Sequence, residues 1–420
     1  MLHNIGRAGF AIRVPRNGLG SLSSQLARSY RPVVDAAELV REYVRLGLRI
    51  GRLDPGSASA RAVERRSRSV IDREPVSAPG VLAERAALLC AVVPDVGFVP
   101  ARAAFLAGQL AALECRAHRL AGRRTSFRAE AAACFGLRVE FGEPDRYRSA
   151  HAELAELLPG SGPAADRLAL LAARERVPPA RLARGVAALS RALRARVRAE
   201  PGLPVQEGVD YRYVRGRSWS ALHRYLGDFR SLVAVDPDRQ VWAGRLPGLV
   251  AHESYPGHHA EHCRKERVLV GTRGWSEHGV EVRDSPQSLL AEGIAESGLR
   301  IAVGPGWGRW AQEVLAEVGI AFDGDRAERV LDALDGLRRV RSDAALLLHD
   351  GPGPAAAAAH LRRWSCLPEE GVRAFLRFAA DPCWRLHVVT YAEGPPVVAR
   401  RLAAGEAVGR LLDEPWAPGG

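Results

Sequence analysis

Apolar residues recur at helical spacing in most segments of this chain that are longer than ten residues, and strict alternation of apolar and polar residues is scarce. One early apolar face is formed by Leu39, Val40, Tyr43, Val44 and Leu46. A helix is also predicted over 101–122, because this stretch follows a proline and ends in glycine. The pattern therefore predicts a mainly α-helical fold, with at most a small strand element.

Further elements follow from the same spacing. Helices are predicted near 127–137, 146–158, 164–175, 178–199, 287–303 and 325–348, with three shorter ones towards the C-terminus. The stretch 200–219 is looser and predicts a linker or a crossing loop. FRSLVAV at 229–235 is the best strand candidate.

The elements divide the chain into successive parts. Residues 1–34 contain no Asp or Glu and five arginines, and we interpret them as an N-terminal extension that lacks fixed structure. A helical region is predicted over 35–200, and a second helical region, which carries most of the histidines, over 201–410. Residues 411–420 are interpreted as a tail.

Composition narrows the class of protein. The chain of 420 residues is 47% hydrophobic, which suffices for a large core. Its net charge of +12 and pI near 10.1 would ordinarily suggest a nucleic-acid partner. However, Lys265 is the only lysine, and the arginines are scattered among acids, as in 180–200. Because no basic block with interleaved aromatics exists, nucleic-acid binding is a minor alternative.

The cysteines and the apolar runs indicate the cellular compartment in which the protein is located. The six cysteines lie far apart without a CxxC pair, which predicts buried thiols in a reducing environment (Cys90, Cys115, Cys134, Cys263, Cys366 and Cys383). No run approaches the ~20 apolar residues of a membrane span. We therefore expect a cytoplasmic protein with no membrane partner.

Candidate chemistry is concentrated in LVAHESYPGHHAEH at 249–262, which holds four of the twelve histidines. The segment begins like the zinc-protease motif H-E-x-x-H, in which two histidines four residues apart share one helix face and the Glu acts as general base. Here the fifth position is Pro256, and the next histidines, His258 and His259, follow His252 by six and seven residues. In an unbroken helix, the His258 side chain would point away from that of His252. His259 would lie on the same side as His252 but ~10 Å further along the axis.

The sequence supplies a distortion that makes this longer spacing usable. Pro256 cannot donate a backbone hydrogen bond, and Gly257 tolerates unusual dihedral angles, so the pair can kink or loop out the helix. The alternative is that these histidines are surface or capping residues that bind no metal. Four histidines within eleven residues, beside an acid, make this alternative less favoured. A third ligand is available in Glu292 of SPQSLLAEGIAESGL (285–299), and Glu296, one turn later, could hydrogen-bond a ligand.

Taken together, HESYPGHH and PQSLLAEGIAE resemble the domain of unknown function 885 family, whose members carry H-E-x-Y-P-G-H-H and then a Glu-Gly-Trp-Ala-like motif. Supporting similarities include YVRLGLRIGRLDPG (43–56), SWSALHRYLGDFRSLVAVDPD (218–238) and the late Tyr391-Ala-Glu-Gly394, so the resemblance spans about 38–405. The family is regarded as helical and zinc-peptidase-like, distantly similar to thimet-type and carboxypeptidase-Taq-type enzymes.

The resemblance implies a set of site residues. His252, His258 and Glu292 would hold one Zn²⁺, although Mn, Co or Fe also suits this set. Glu253 would deprotonate the attacking water. His259 is the rival second ligand, and otherwise a hydrogen-bond donor on the substrate side. Tyr391 would donate to the developing oxyanion, the alternative being a buried core tyrosine.

The backbone edge of FRSLVAV is a candidate for pairing with an extended peptide, the alternative being an ordinary structural strand. Two departures from the family pattern stand out. Ile294 replaces the aromatic residue after Glu-Gly, and Arg385, Leu386 and His387 replace Pro-Gly-Gln before the late tyrosine. The second departure lies on the substrate side.

The leading expectation is a metallopeptidase-like hydrolase of short peptides or small amides. A metal-binding but non-hydrolytic protein is the first alternative, and an arginine-rich nucleic-acid binder is the second. The sequence does not specify the substrate, the oligomeric state, or endo- versus exo-cleavage.

Overall fold

The computed structural model of the protein describes residues 35–60, 65–199, 202–217, 219–239 and 241–418. The predicted extension, 1–34, lies outside these residues. Helices dominate, which confirms the predicted mainly α-helical fold. Within the described residues, every helix is too short or too polar to span a bilayer.

The N-terminal half is built from helices close to those predicted by spacing. They are α1 (Ala36–Leu53), α2 (Arg65–Ile71), α3 (Pro79–Val92), α4 (Pro100–Leu120), α5 (Phe127–Phe135), α6 (Pro144–Leu157), α7 (Ala164–Arg174) and α8 (Pro179–Ala199). Helix α1 begins where the Asp35 carboxylate accepts a hydrogen bond from the Glu38 amide at 2.7 Å. Its predicted apolar face is buried in the core.

Two small sheets accompany the helices, and the first of them joins the N-terminal half to the C-terminal half. The strands are β1 (Ala58–Ala60), β2 (Gly208–Tyr213), β3 (Ala221–Gly227), β4 (Arg230–Val235) and β5 (Val280–Val282). Strand β1 pairs antiparallel with β5, whereas β4 lies between β2, which is parallel to it, and β3, which is antiparallel. The stretch 200–219 therefore contains a strand where a linker or loop was predicted.

The FRSLVAV strand is correctly predicted, but its suggested role in pairing with a substrate is wrong. It forms β4, and both of its backbone edges are already bonded to neighbouring strands. Strand β4 therefore has no free edge for a peptide to join. Strand β3, in contrast, contacts the histidine segment, because its His223 ring stacks on that of His262 with the ring centroids 5.3 Å apart.

The C-terminal half is again helical. It comprises α9 (Leu246–Glu253), α10 (His258–Lys265), α11 (Pro286–Glu296), α12 (Gly298–Ala302), α13 (Trp307–Ala316), α14 (Gly324–Asp335), α15 (Val340–His349), α16 (Pro354–Trp364), α17 (Glu369–Ala380), α18 (Val388–Ala403) and α19 (Val408–Asp413). A π-helical turn, 266–272, continues α10. Helix α19, which includes the start of the predicted tail, buries Leu411 and Leu412.

Two predicted helices are each divided in two. The helix predicted near 287–303 is interrupted between α11 and α12, beside the weak helix former Gly298. The helix predicted near 325–348 is interrupted between α14 and α15. There a Cβ on Gly336 would lie 2.9 Å from the Cβ of Ala150, so only glycine permits this close packing against α6.

The six cysteines are all free thiols. Three of them are buried (Cys134, Cys263 and Cys366), and the other three are partly exposed. The prediction of unpaired thiols is confirmed, but the prediction that all are buried is wrong.

Candidate metal centre

The Pro-Gly pair divides the histidine segment into two helices. Helix α9 ends at Glu253, and α10 begins at His258 immediately after Gly257. A Cβ on Gly257 would lie 1.9 Å from the His252 carbonyl oxygen, so the chain can turn back this tightly only at a glycine. The break allows His258 to return to the neighbourhood of His252, as the distortion argument requires.

His252, His258 and Glu292 converge on one point. One ligand atom from each lies within 4.8 Å of the others, and no other such group of acids, histidines and cysteines occurs among the described residues. His252 Nε2 is 3.6 Å from Glu292 Oε2, and His258 Nε2 is 3.5 Å from Glu292 Oε1. The two imidazole rings are nearly perpendicular, at 87°.

Helix α11 delivers Glu292 through a defined start and a close helix contact. The Ser285 hydroxyl caps the helix by accepting a hydrogen bond from the Ser288 amide at 3.2 Å, and the Ser288 hydroxyl accepts one from the Ser285 amide at 2.9 Å. Beside the ligand, a Cβ on Gly293 would lie 2.4 Å from the Gly394 carbonyl oxygen. This glycine contact packs α11 directly against α18, which carries Tyr391.

The cluster has the electrostatics of a cation site. Glu292 is 8% exposed, and its Oε2 has no hydrogen-bond partner. Burial opposes its ionisation, but His258, His387 and His252 outweigh burial and hold the pKa of Glu292 well below its usual range. A buried carboxylate with an unpartnered oxygen beside two imidazoles is a donor set that suits a divalent transition metal.

The carboxylate of Glu296 orients the candidate ligand His252. His252 presents Nδ1 to Glu296 Oε1 at 3.2 Å, which leaves Nε2 directed at Glu292. Burial disfavours protonated His252, but Glu296, Glu292 and Glu253 outweigh it and raise the pKa of His252 to about 10. Glu296 thus lies where the sequence placed a residue that orients a ligand.

His387 also approaches the cluster, and its position there was not predicted. Its Nε2 is 3.5 Å from Glu292 Oε1, and its Nδ1 is 3.5 Å from Asp284 Oδ1. Asp284 forms a buried ion pair with Arg116 on α4. His387 therefore lies against the candidate ligand Glu292.

Glu253 and Tyr391 border the open side of the site. Together with His252 they line a cleft of about 1020 Å³, whereas His258 borders a separate cavity of about 30 Å³. Burial raises the pKa of Glu253, although His252 and His258 oppose the shift. Burial and the nearby charges of Glu292, Glu296 and Glu253 raise the pKa of Tyr391 well above its usual value, so its hydroxyl stays protonated.

His259 is not brought to the cluster. It is fully buried, with Nε2 2.9 Å from Glu207 Oε2 and Nδ1 2.8 Å from the Ser231 hydroxyl. In this structure it therefore reaches neither the other ligand candidates nor the cleft. Of the two histidines left open by the spacing, His258 is the one that meets His252 and Glu292.

Glu207 contacts residues on both sides of the helix break. It accepts hydrogen bonds from Tyr255 Oη at 2.6 Å and from Arg194 Nε at 2.7 Å, and it also contacts His259. These interactions outweigh burial and hold the pKa of Glu207 well below its usual range. Sequence reasoning missed it, because an isolated Glu in a loose stretch carries no pattern that marks it as a partner of Tyr255 and His259, which lie 48 and 52 positions away.

No protein-family model and no curated protein matches the chain. Among solved structures, the chain is similar to the crystal structure of a "putative lipoprotein" from Colwellia psychrerythraea. The TM-score is 0.46 and the sequence identity 14%, and the similarity covers 96% of this chain and 78% of that one. We infer neither fold nor function from so distant a similarity.

Proposed function

We propose that this protein is a metal-dependent hydrolase, a metallopeptidase-like enzyme that cleaves short peptides or small amides with a resident Zn²⁺. The observation that carries the proposal is the convergence of His252, His258 and Glu292 across the Pro-Gly break. The resemblance of HESYPGHH and PQSLLAEGIAE to the domain of unknown function 885 family supports it independently. The free thiols support a cytoplasmic location.

His252, His258 and Glu292 would hold the metal as a set of three protein ligands. When bound, the ion would polarise the substrate carbonyl and acidify a water molecule. Three protein ligands are the usual set for a catalytic zinc, since a fourth position must stay open to water or substrate.

The remaining roles belong to two residues of the cleft. Glu253 accepts a proton from the attacking water and delivers it to the leaving amine nitrogen, so that the carboxylate is regenerated. Tyr391 keeps its hydroxyl proton and donates a hydrogen bond to the carbonyl oxygen as negative charge develops on it. Both line the same cleft as His252, which supports these assignments.

A metal-binding but non-hydrolytic protein is the second candidate, and His387 is the observation that favours it. A third imidazole beside Glu292 could complete a closed site of four protein ligands, which is typical of structural zinc. Against this, His387 is not among the residues whose ligand atoms lie within 4.8 Å of one another. Its contact with Asp284 also suits a residue that orients Glu292 from outside.

The proposal is tested by metal analysis and a peptide library. We expect about one metal ion per chain, hydrolysis of short peptides, and loss of that hydrolysis with a chelator. The chelator should also lower Tm, because a ligand present at 1,000 times its Kd stabilises the folded state by about 4 kcal/mol. Protein without stoichiometric metal contradicts both candidates, whereas bound metal without turnover favours the second.

The role of His387 gives a separate prediction. We expect His387→Ala to weaken metal binding by about 10- to 100-fold, because the group that orients Glu292 is lost. His387→Gln should recover part of the affinity, since an amide can still donate to the carboxylate. Affinity is measured by competition with a metal-binding dye. If metal binding is unchanged in His387→Ala, His387 does not position the ligand.

A further inference from the structure

The long cleft contains four arginines, and two of them lack a partner. Arg300 pairs with Asp332 and Asp335, and Arg338 pairs with Asp335 at 2.7 Å. Among the residues that the structure describes, the guanidinium groups of Arg245 and Arg341 make no ion pair and no hydrogen bond. Arg341 has only a loose contact with Phe375, with its Cζ 6.0 Å from the ring centre.

The two unpaired arginines face the same space as the proposed catalytic groups. Arg245 immediately precedes α9, and Arg341 lies in the first turn of α15; both line the cleft that His252, Glu253 and Tyr391 border. Both side chains are exposed to solvent in the cleft. Desolvation there, and then the charge of Arg341, lower the pKa of Arg245, whereas the charge of Glu296 raises it. The two cations are thus close enough to repel each other.

Among the described residues of the cleft, no acid forms an ion pair with either arginine, although the charge of Glu296 raises the pKa of both. Asp332 and Asp335 are engaged by Arg300 and Arg338, and Glu296 contacts His252. A guanidinium remains charged in proteins, and because both side chains are exposed in the cleft, their hydrogen-bond donors are accessible to an anionic group of a substrate. A planar guanidinium also matches the two oxygens of a carboxylate, with two parallel hydrogen bonds.

The spacing agrees with a substrate that extends from the metal centre to these arginines. Arg245 precedes His252 by seven residues, which corresponds to about 10 Å along α9. Since an extended peptide advances ~3.3–3.6 Å per residue, a carboxylate two or three residues from the cleaved bond would reach Arg245. Apolar side chains line the cleft, among them Leu299, Leu331 and Phe378, and would accommodate apolar residues between the two points.

We propose that Arg245 and Arg341 form a subsite for a substrate carboxylate, so that the preferred substrates are short peptides with a carboxylate two or three residues from the cleaved bond. This proposal rests on the proposed function for its catalytic meaning, but the binding itself does not require turnover. The carboxylate could be the C-terminus of the peptide or an acidic side chain, which the experiment below separates.

The test measures binding by calorimetry to metal-loaded Glu253→Gln protein, in which turnover is suppressed. The probes are the tetrapeptide Leu-Ala-Leu-Ala with a free C-terminus, its C-terminal amide, and the amide of Leu-Ala-Leu-Glu. We expect the free acid to bind about 10- to 100-fold more tightly than its amide, because charge-assisted hydrogen bonds to the arginines are lost in the amide. Tight binding of the third peptide would assign the carboxylate to a side chain.

Variants of the arginines connect the preference to the subsite. In the same background, Arg245→Gln and Arg341→Gln should each bring the free acid close to the affinity of the amide. Arg300→Gln is the matched control, since Arg300 lines the same cleft but is ion-paired, and it should keep the preference. Thermal unfolding checks that each variant is folded; we expect no loss of Tm from removing an unpaired guanidinium.

Three results would overturn the subsite. These are equal binding of all three peptides, no binding of any of them, and an equal loss of preference in Arg300→Gln. A failure of the hydrolase proposal alone gives another result: wild-type protein would bind the free acid with the expected preference but would leave every peptide intact.

Discussion

Glu253→Gln is expected to lower kcat/KM for peptide hydrolysis by about 10²- to 10⁴-fold while the protein keeps its metal. The carboxylate is 9% exposed and lines the cleft, but it is not part of the converging ligand cluster. Glutamine has nearly the same shape but cannot accept a proton from water. The substitution therefore removes the general base and leaves the ligands in place.

The comparison variant for this experiment is His252→Ala. It removes one of the three ligands, so we expect it to lose both metal and turnover. Metal content is measured by elemental analysis, and kcat/KM with a peptide found in the library screen. Full activity in Glu253→Gln would show that another group acts as the base.

The break in the histidine segment could be predicted because neighbouring residues encode it. Pro256 and Gly257 predict a break in the helix, and the geometry of the break determines which of the following histidines lies near His252. The structure selects His258, because His259 points to the opposite side and is held by Glu207 and Ser231. Spacing alone could not decide between them, since the dihedral angles of the break set the direction of the second helix.

The supporting residues could not be predicted, because their roles depend on tertiary packing. His387 lies 95 positions after Glu292 and meets it only through the close approach of α11 and α18 at Gly293 and Gly394. Likewise, FRSLVAV is a short, largely apolar run with two valines, as strands often are, but no local feature indicates that it is central and bonded on both edges. Sequence patterns define elements and faces, whereas strand order and partners across the core arise from the whole fold.

Gly257→Ala is expected to destabilise the protein by about 3–5 kcal/mol and to weaken metal binding at least tenfold. The added Cβ would lie 1.9 Å from the His252 carbonyl oxygen and 2.5 Å from that of Ala251. Both contacts are with backbone atoms, which cannot rotate away as a flexible side chain can. The break must therefore open, and His258 must move away from His252 and Glu292.

The matched control is Gly248→Ala, in the helix that carries His252. There an added Cβ would meet only Leu299 Cδ1, at an ordinary contact distance of 3.9 Å. Since alanine is the better helix former, this variant should be more stable than the native chain by about 0.5–1 kcal/mol and should keep its metal. Chemical denaturation and dye competition measure the two quantities. If Gly257→Ala behaves like this control, the tight turn at Gly257 is not what brings His258 to the metal centre.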